Sequence, residues 1–410
     1  MTDSVSPLSP ERERLALLVL AGIQFAHIVD FMVMMPLGPI LMRTLAVGPH
    51  EFGLLVSAYT FTAAVSGLLM ATFVDRFERK RMLLVMLLLF AVATLACGLA
   101  PDFWTLLVAR GAAGAFGGVL GAMVQMMVGD LIPFARRGRA SGTIMAAFSV
   151  STVAGVPASL YLANHFGWRF PFVAIAVAAL GFLALGWRVL PPVRGHLPAA
   201  DVRAHPFAAM AEVLRDANHL RAMGFMALVM FSSFMVIPYI TIYMVGNVKV
   251  TQDDIPLIYL FGGVASFFSA RWIGRVADRH GKVRVFRLVA GAAIVPLLLQ
   301  THMMPLPLGV VLVCTTLFFV LVPGRMVPAM AIVTSAARPP LRGTFLALNA
   351  AIMQFASGLA AALGGLIIAT DAAGQITRYN WVGYLAAAMA LLGIVAVGRV
   401  VLPQGAAGRP

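Results

Sequence analysis

Long apolar runs recur along the whole chain, each closed by a short polar break, and within the runs apolar residues are continuous rather than alternating. A helix needs roughly 20 residues to cross a bilayer core. Continuous apolarity selects helices over the alternating strands of a membrane barrel. Counted between breaks, the runs fall at about 14–42, 52–75, 81–100, 103–131, 139–163, 170–191, 220–246, 254–274, 285–304, 306–332, 341–369 and 380–402. The pattern predicts an all-α membrane protein of about twelve transmembrane helices, six in each half. It divides the chain into a tail (1–13), a six-helix bundle (14–191), a linker (192–219), a second bundle (220–402) and a final tail (403–410).

The polar breaks repeat. The stretch RWIGRVADRHGKVRVFR, Arg271 to Arg287, has a weaker copy in ATFVDRFERKR, Ala71 to Arg81, and superposing Asp278-Arg279 on Asp75-Arg76 gives an offset of 203 residues. Arg137-Gly138 and Arg342-Gly343 each follow a long apolar run and repeat at an offset of 205 residues. Two landmarks at nearly one spacing predict duplicated halves, hence two pseudo-symmetric bundles.

With 61% hydrophobic and 11% charged residues, the chain has too little polar surface for a soluble fold. Its net charge of +14 would suit a nucleic-acid partner, but the position of the charges argues otherwise. With the N-terminus inside, Arg43, Arg169, Lys249 and Arg378 fall outside, Arg110 and Arg325 lie within spans, and every other Lys and Arg is cytoplasmic. The basic excess is therefore a topology signal, placing both termini in the cytoplasm and excluding nucleic acid as partner. The first run is too long for a signal-peptide core and lacks a small-residue cleavage site, so it reads as the first span. Cys97 and Cys314 lie in apolar runs and read as buried thiols. No phosphate-cradling loop, metal-ligand cluster or nucleophile triad stands in a fitting context, so neither an enzyme nor a cofactor is expected.

The candidate chemistry lies inside the spans. Gln24, His27 and Asp30 interrupt the first, His27, Asp30 and Met34 share one helix face, and Gln24 and Met34, with Gln125 of the fourth span, are candidates for lining a substrate cavity. A carboxylate at that depth costs at least ~2.5 kcal/mol, so it must face a cavity, a partner or a proton. In the fourth span Arg110 shares a stripe with Gly114, Gly117, Gly121 and Gln125, leaving room for another helix or a substrate. Asp30 and Arg110 are therefore a candidate proton-coupling pair, with His27 as a third member or a packing residue. Gly155 and Pro157 predict close packing and a kink in span five, and Trp168 an interfacial anchor. In the second half, Tyr239 and Tyr243 in span seven, Arg325 between Pro323 and Pro328 in span ten, and Asn349 and Gln354 in span eleven are candidates for lining a substrate cavity. Packing is the plainer reading for Asn349 and Gln354, and Tyr243 also fits an interfacial belt. Phe207, Met210, Val213 and Leu214 give the linker an amphipathic helical spacing.

Taken together, the two six-span halves and the loop Gly274, Asp278, Arg279, Gly281, Lys282, Arg284, with its copy Asp75, Arg76, Arg79, Lys80, resemble the major facilitator superfamily. In the first copy Ala71 and Glu78 stand where the family has glycines. The resemblance implies the major facilitator fold and a charge relay that closes the cytoplasmic side. Asp30-Phe31, Arg110-Gly111, Gly155-Val156-Pro157 and Phe166-Gly167-Trp168-Arg169 are similar to bacterial drug:proton antiporters and arabinose-efflux-permease-like proteins, although their span-five Gly-Pro is Val156-Pro157 here. This implies a monomeric, proton-driven exporter of a small organic molecule in a bacterial inner membrane. Proton-coupled uptake of a metabolite, or a non-transporting sensor or scaffold on the same frame, remains open at this stage.

Overall fold

The computed structural model describes residues 9–194 and 206–402. Among them, twelve helices are long and apolar enough to span a membrane: α1 (Pro10–Val33), α2 (Pro49–Met70), α3 (Arg79–Leu99), α4 (Phe103–Leu131), α5 (Arg136–Phe166), α6 (Arg169–Val189), α7 (Ala217–Val248), α8 (Ile255–His280), α9 (Lys282–His302), α10 (Leu308–Ala336), α11 (Pro339–Ile367) and α12 (Tyr379–Arg399). With an even number of crossings, α1 begins and α12 ends on one face, here called the terminal face; the opposite one is the distal face.

The packing repeats with the sequence. In the first bundle α2 packs on α4, α3 on α4 and α6, and α1 on α5 and α6; in the second α8 packs on α10, α9 on α10 and α12, and α7 on α11 and α12. Each pairing recurs six helices later, as a duplicated fold requires.

Three interruptions follow from proline chemistry. The run predicted to continue to residue 42 breaks after Val33, turning at Met34–Leu37 around Pro36 before a short helix, Gly38–Leu45. In α5 the backbone widens into a π-turn over Ser151–Gly155, directly ahead of Pro157, because proline supplies no N–H to the preceding turn. In α10 the helix pauses at Arg325, between Pro323 and Pro328. Pro323 leaves the Phe319 carbonyl without its helical donor, and the Ser266 hydroxyl from α8 fills the vacancy at 2.6 Å.

The described part of the linker forms a helix, Pro206–Arg215. Val213 is fully buried and Met210 packs against the second bundle, but Leu214 is 47% exposed. Adjacent helical positions lie about 100° apart, so only one of the two can face inward. Between α11 and α12 a two-stranded hairpin, β1 (Ala369–Thr370) and β2 (Ile376–Thr377), sits on the distal face. The Asn247 amide at the end of α7 bonds both backbone groups of Ile376, at 2.8 and 2.9 Å.

Trp168 is not an interfacial anchor. It is 3% exposed, lies edge-on to Phe172 and is covered by the Arg169 guanidinium at 4.6 Å. Trp104, Trp187, Trp272 and Trp381 are the strongly exposed tryptophans, as membrane-interface residues are. Cys97 is buried as expected, whereas Cys314 is only half-buried.

Asp216 caps α7, accepting from the backbone N–H groups of Asn218 (2.8 Å) and His219 (3.2 Å), and lies 3.6 Å from Arg338. Burial pushes its carboxyl up, but the two N–H donors, His219 and Arg338 outweigh it, and the net value falls below the ordinary range. A depressed carboxylate stabilises above its unfolded value and loses that contribution as pH falls through its folded value. Asp216→Ala is therefore expected to cost ~1 kcal/mol near neutrality. In detergent melts across pH, the gap to the native protein should close in acid; a gap that persists or widens there contradicts the assignment.

Candidate functional site

Asp30 lies near the distal end of α1 and Arg110 two turns into α4, and the antiparallel course of these helices brings them together. Arg110 Nη1 meets Asp30 Oδ2 at 3.0 Å and the Asp30 carbonyl at 3.4 Å, with both side chains at 1% exposure or less. Tyr59 of α2 lies under the guanidinium, its ring centre 4.5 Å from Cζ, and packs on Phe31 at 5.3 Å. Phe31 in turn meets Phe234 of α7, at 6.0 Å, so the ion pair lies behind an aromatic contact between the two bundles.

Polar groups without partners surround the pair. Thr94 lies beside the Asp30 carboxylate, and Arg110 Nε, the Tyr59 hydroxyl, His27 Nε2 and Gln24 Oε1 are buried and unbonded. Buried polar atoms are normally satisfied, so such a cluster marks a place for water, protons or ligand. His27 and Gln24 lie one and two turns from Asp30 toward the terminal face, and both face Gly121 of α4. Gln125, a turn further, is exposed.

Of the two uses expected for the glycines, room for another helix or for a substrate, the structure shows chiefly the first. A Cβ at Gly114 would collide with the Tyr59 backbone, one at Gly117 with the Tyr59 hydroxyl and Phe90, and one at Gly155 with Val29 and Phe25 of α1. Met34 is buried in the core. Pro157 stands just beyond the π-turn.

In the second bundle the cavity candidates separate. Tyr239 is fully buried in the seam between the bundles, donating to the Ala361 carbonyl and packing on Phe52 at 6.1 Å. It seals rather than lines. Tyr243 is neither belt nor cavity wall; its hydroxyl donates to Met303 O at 3.0 Å and its ring meets Tyr379 at 4.9 Å. Asn349 is buried with its Oδ1 unbonded, and Gln354 is half-buried. Arg325 is buried apart from any acidic group among the described residues.

The two copies of the charged loop are in different conditions. In the first, Arg79 is 7% exposed and meets Asp130 at the end of α4, 3.1 Å away, with Met126 Sδ at 3.0 Å. Lys80 donates to Trp187 O at 2.8 Å, and Glu78, in place of the family's glycine, pairs with Arg81 at 3.1 Å. Arg76 is exposed in the turn Val74–Arg76, which also contains Asp75. In the second, Asp278, Arg279 and Arg284 are exposed, Lys282 reaches Ser335 Oγ at 3.0 Å, and Gly281 ends α8 at φ 91°, where a side chain would strain the backbone. Gly274 of α8 lies beside Val327 of α10. Sequence reasoning missed Asp130, Tyr59 and Thr94. The signal for Asp130 was an acid closing the fourth span; Tyr59 and Thr94 carried none.

The bundles meet along α2 and α11 from the distal face, and near the terminal end of α2 Leu68 also packs against the second bundle's core. Pro49 and His50 touch Gly365, Ser57 donates to Gly358 O at 3.0 Å, and Phe61 packs on Phe355 at 5.2 Å. On the opposite flank Asn164 donates to Gln252 O at 3.3 Å and Asp253 Oδ1 at 3.2 Å, and Gly263 abuts Thr152 and Val153. Gly142, nearer the terminal face on α5, has open space around it. The protein is closed at its distal face.

Solved structures share this architecture. A D-xylose-proton symporter superposes with a TM-score of 0.77 at 16% identity, covering 98% of this chain and 100% of its own. A bacterial homolog of the human lysosomal transporter Spinster gives 0.72 at 15%, covering 97% and 100%. An uncharacterized MFS-type transporter of Bacillus subtilis is 25% identical over 394 residues, 94% of each chain. A chloramphenicol efflux pump of Mycobacterium tuberculosis is 27% identical over 243 residues, 58% of this chain and 57% of its own. A protein of Pasteurella multocida named a probable sugar efflux transporter is 27% identical, but the match spans only 38% of its length and 39% of this chain. The Major Facilitator Superfamily model matches residues 20–325, three quarters of the sequence, spanning the first bundle and the second as far as Arg325. The chain is a membrane transporter, not an enzyme, and belongs to the major facilitator superfamily.

Proposed function

We propose that this transporter exports a small organic molecule in exchange for protons, working as a monomer in a bacterial inner membrane with both termini in the cytoplasm. The observation that carries the reading is the isolated Asp30–Arg110 pair, buried behind the contact between the bundles. A proton arriving from the distal, external side neutralises Asp30 and leaves Arg110 without its counter-charge. Uncompensating a buried charge costs ~3–5 kcal/mol, enough to drive a rearrangement between two packed states. The unbonded Nε2 of His27 and Oε1 of Gln24 continue from Asp30 toward the terminal, cytoplasmic side and provide the path by which the proton leaves. The Arg79–Asp130 pair and the loop around Asp278 then act as the gate on that side. Rocking of the bundles about the α2–α11 and α5–α8 seams exposes the site to each face in turn. Partly aligned relatives are named as efflux proteins, which supports outward transport.

The test uses inside-out vesicles with an acidified lumen, carrying either the native protein or Asp30→Asn. Lipophilic cations, sugars, nucleosides and organic anions are added one at a time. Proton efflux from the lumen upon addition of a compound, absent in the variant, is the expected result. Equal responses in the two proteins would remove Asp30 from the coupling, and proton entry instead of exit would establish uptake.

A further inference from the structure

Arg325 is a buried cation with no counter-charge among the described residues. It is 1% exposed, and no carboxylate lies within salt-bridge distance. Its Nη2 donates to Ser233 Oγ at 2.9 Å and Ser232 Oγ at 3.1 Å, with Val229 O at 3.5 Å, and its Nε has no partner at all. The two serine hydroxyls spend their own protons on Ala386 O (2.7 Å) and Val229 O (2.9 Å), so they offer the guanidinium only lone pairs. Compare Arg110, whose charge is cancelled by Asp30 at 3.0 Å. Within the membrane, the first bundle's deep pair is neutral and the second bundle carries one positive charge.

An intramembrane charge costs at least ~2.5 kcal/mol and by default marks a functional site. A guanidinium braced on one nitrogen, with a free Nε, is half of the fork that binds a carboxylate through two parallel bonds. The depth rules against a lipid headgroup, since Arg325 lies about 16 Å along the helix from the terminal end of α10 and further still from the distal end. The backbone there is also able to turn, because Pro328 leaves the Gly324 carbonyl without its helical donor. Building on the transport reading above, we propose that Arg325 is the anion-recognition group of the second bundle and that the transported molecule is a small organic anion bearing a carboxylate. In the distal-closed state the serines hold the guanidinium, and the substrate carboxylate takes their place when the site opens to the terminal face.

Direct binding to the purified full chain in detergent tests this without depending on flux. Acetate, benzoate and 2-naphthoate are titrated calorimetrically, each beside its uncharged amide, against the native protein, Arg325→Gln, Arg325→Lys and Ser233→Ala. At least one carboxylate should bind tenfold or more tightly than its amide, Arg325→Gln should erase that preference, and Arg325→Lys should retain part of it. Ser233→Ala, which keeps the charge, should retain the preference in full; if Arg325→Gln does not fold, the partial loss expected in Arg325→Lys carries the comparison, and an unchanged preference there overturns the inference. Acids and amides binding alike, no acid binding, or an unchanged preference in Arg325→Gln each overturn the inference. Competition by added phosphatidylglycerol at micellar concentrations would reassign the site to a headgroup and overturn it too. If vesicles respond to neutral or cationic compounds while the acids fail, only the anion inference falls. If an acid binds with charge preference yet moves no protons in vesicles, the proton-exchange reading falls and the anion site stands.

Discussion

Asp30→Asn is expected to destabilise the purified protein more than Arg110→Gln, and the double variant less than either. The pair is buried at 0–1% exposure on both sides, where each lone charge forfeits its solvation. Breaking such a pair from one side costs ~3–5 kcal/mol, while removing both charges together is often nearly neutral. The two single changes are unequal because an orphaned guanidinium cannot shed its proton. An orphaned Asp30 can instead bind one, so the cost of Arg110→Gln should shrink as pH falls and that of Asp30→Asn should not. Unfolding in detergent across pH, for all four proteins, gives the cycle. Additive costs, with the double variant the least stable, would mean that the two groups do not share one electrostatic unit. The same cycle protects the vesicle assay: the double variant should be folded and silent, so loss of proton movement there is loss of coupling, not of protein.

Much of this arrangement was legible in the sequence, and the limits have physical causes. Apolar length gives the spans because the bilayer fixes how long a helix must be. The offset between Asp75-Arg76 and Asp278-Arg279 gave the duplication, and the repeated helix pairings follow it. Asp30 stood out because a carboxylate in hydrocarbon is expensive, and Arg110 because it shared its face with glycines. What failed was helix rotation. Tyr239 and Tyr243 read as cavity walls because hydroxyls in an apolar span look alike whether they meet a ligand or a carbonyl, here Ala361 O and Met303 O. Trp168 read as an anchor because its end-of-span position is also where α6 begins and folds it inward. Arg79–Asp130 joins residues on helices whose mutual azimuth no local pattern encodes.

The same missing rotation hid which glycines serve the bundles and which serve the motion between them, and one substitution separates the two roles. Gly358 on α11 faces α2 of the other bundle; a Cβ there would stand 2.5 Å from Thr60 Oγ1 and 2.9 Å from the Phe61 ring. Gly114 faces α2 within its own bundle, against the Tyr59 backbone. Overpacking a fitted contact costs ~1–3 kcal/mol. At Gly114 that cost has no escape, because the contact exists in every state of a rigid bundle, so Gly114→Ile should reduce the yield of folded protein. At Gly358 it falls only on the state in which the distal seam is closed, and each ~1.4 kcal/mol shifts a two-state equilibrium about tenfold. Gly358→Ile should therefore fold and populate the distal-open form. In a background with Cys97 and Cys314 replaced by serine, spin labels at the exposed positions His165 and Ala373 should report a new, longer distance. Transport should fall by tenfold or more, since a cycle biased to one face returns slowly. An unchanged distance distribution in a folded Gly358→Ile protein would mean that the α2–α11 seam is permanent and that the bundles move about some other contact.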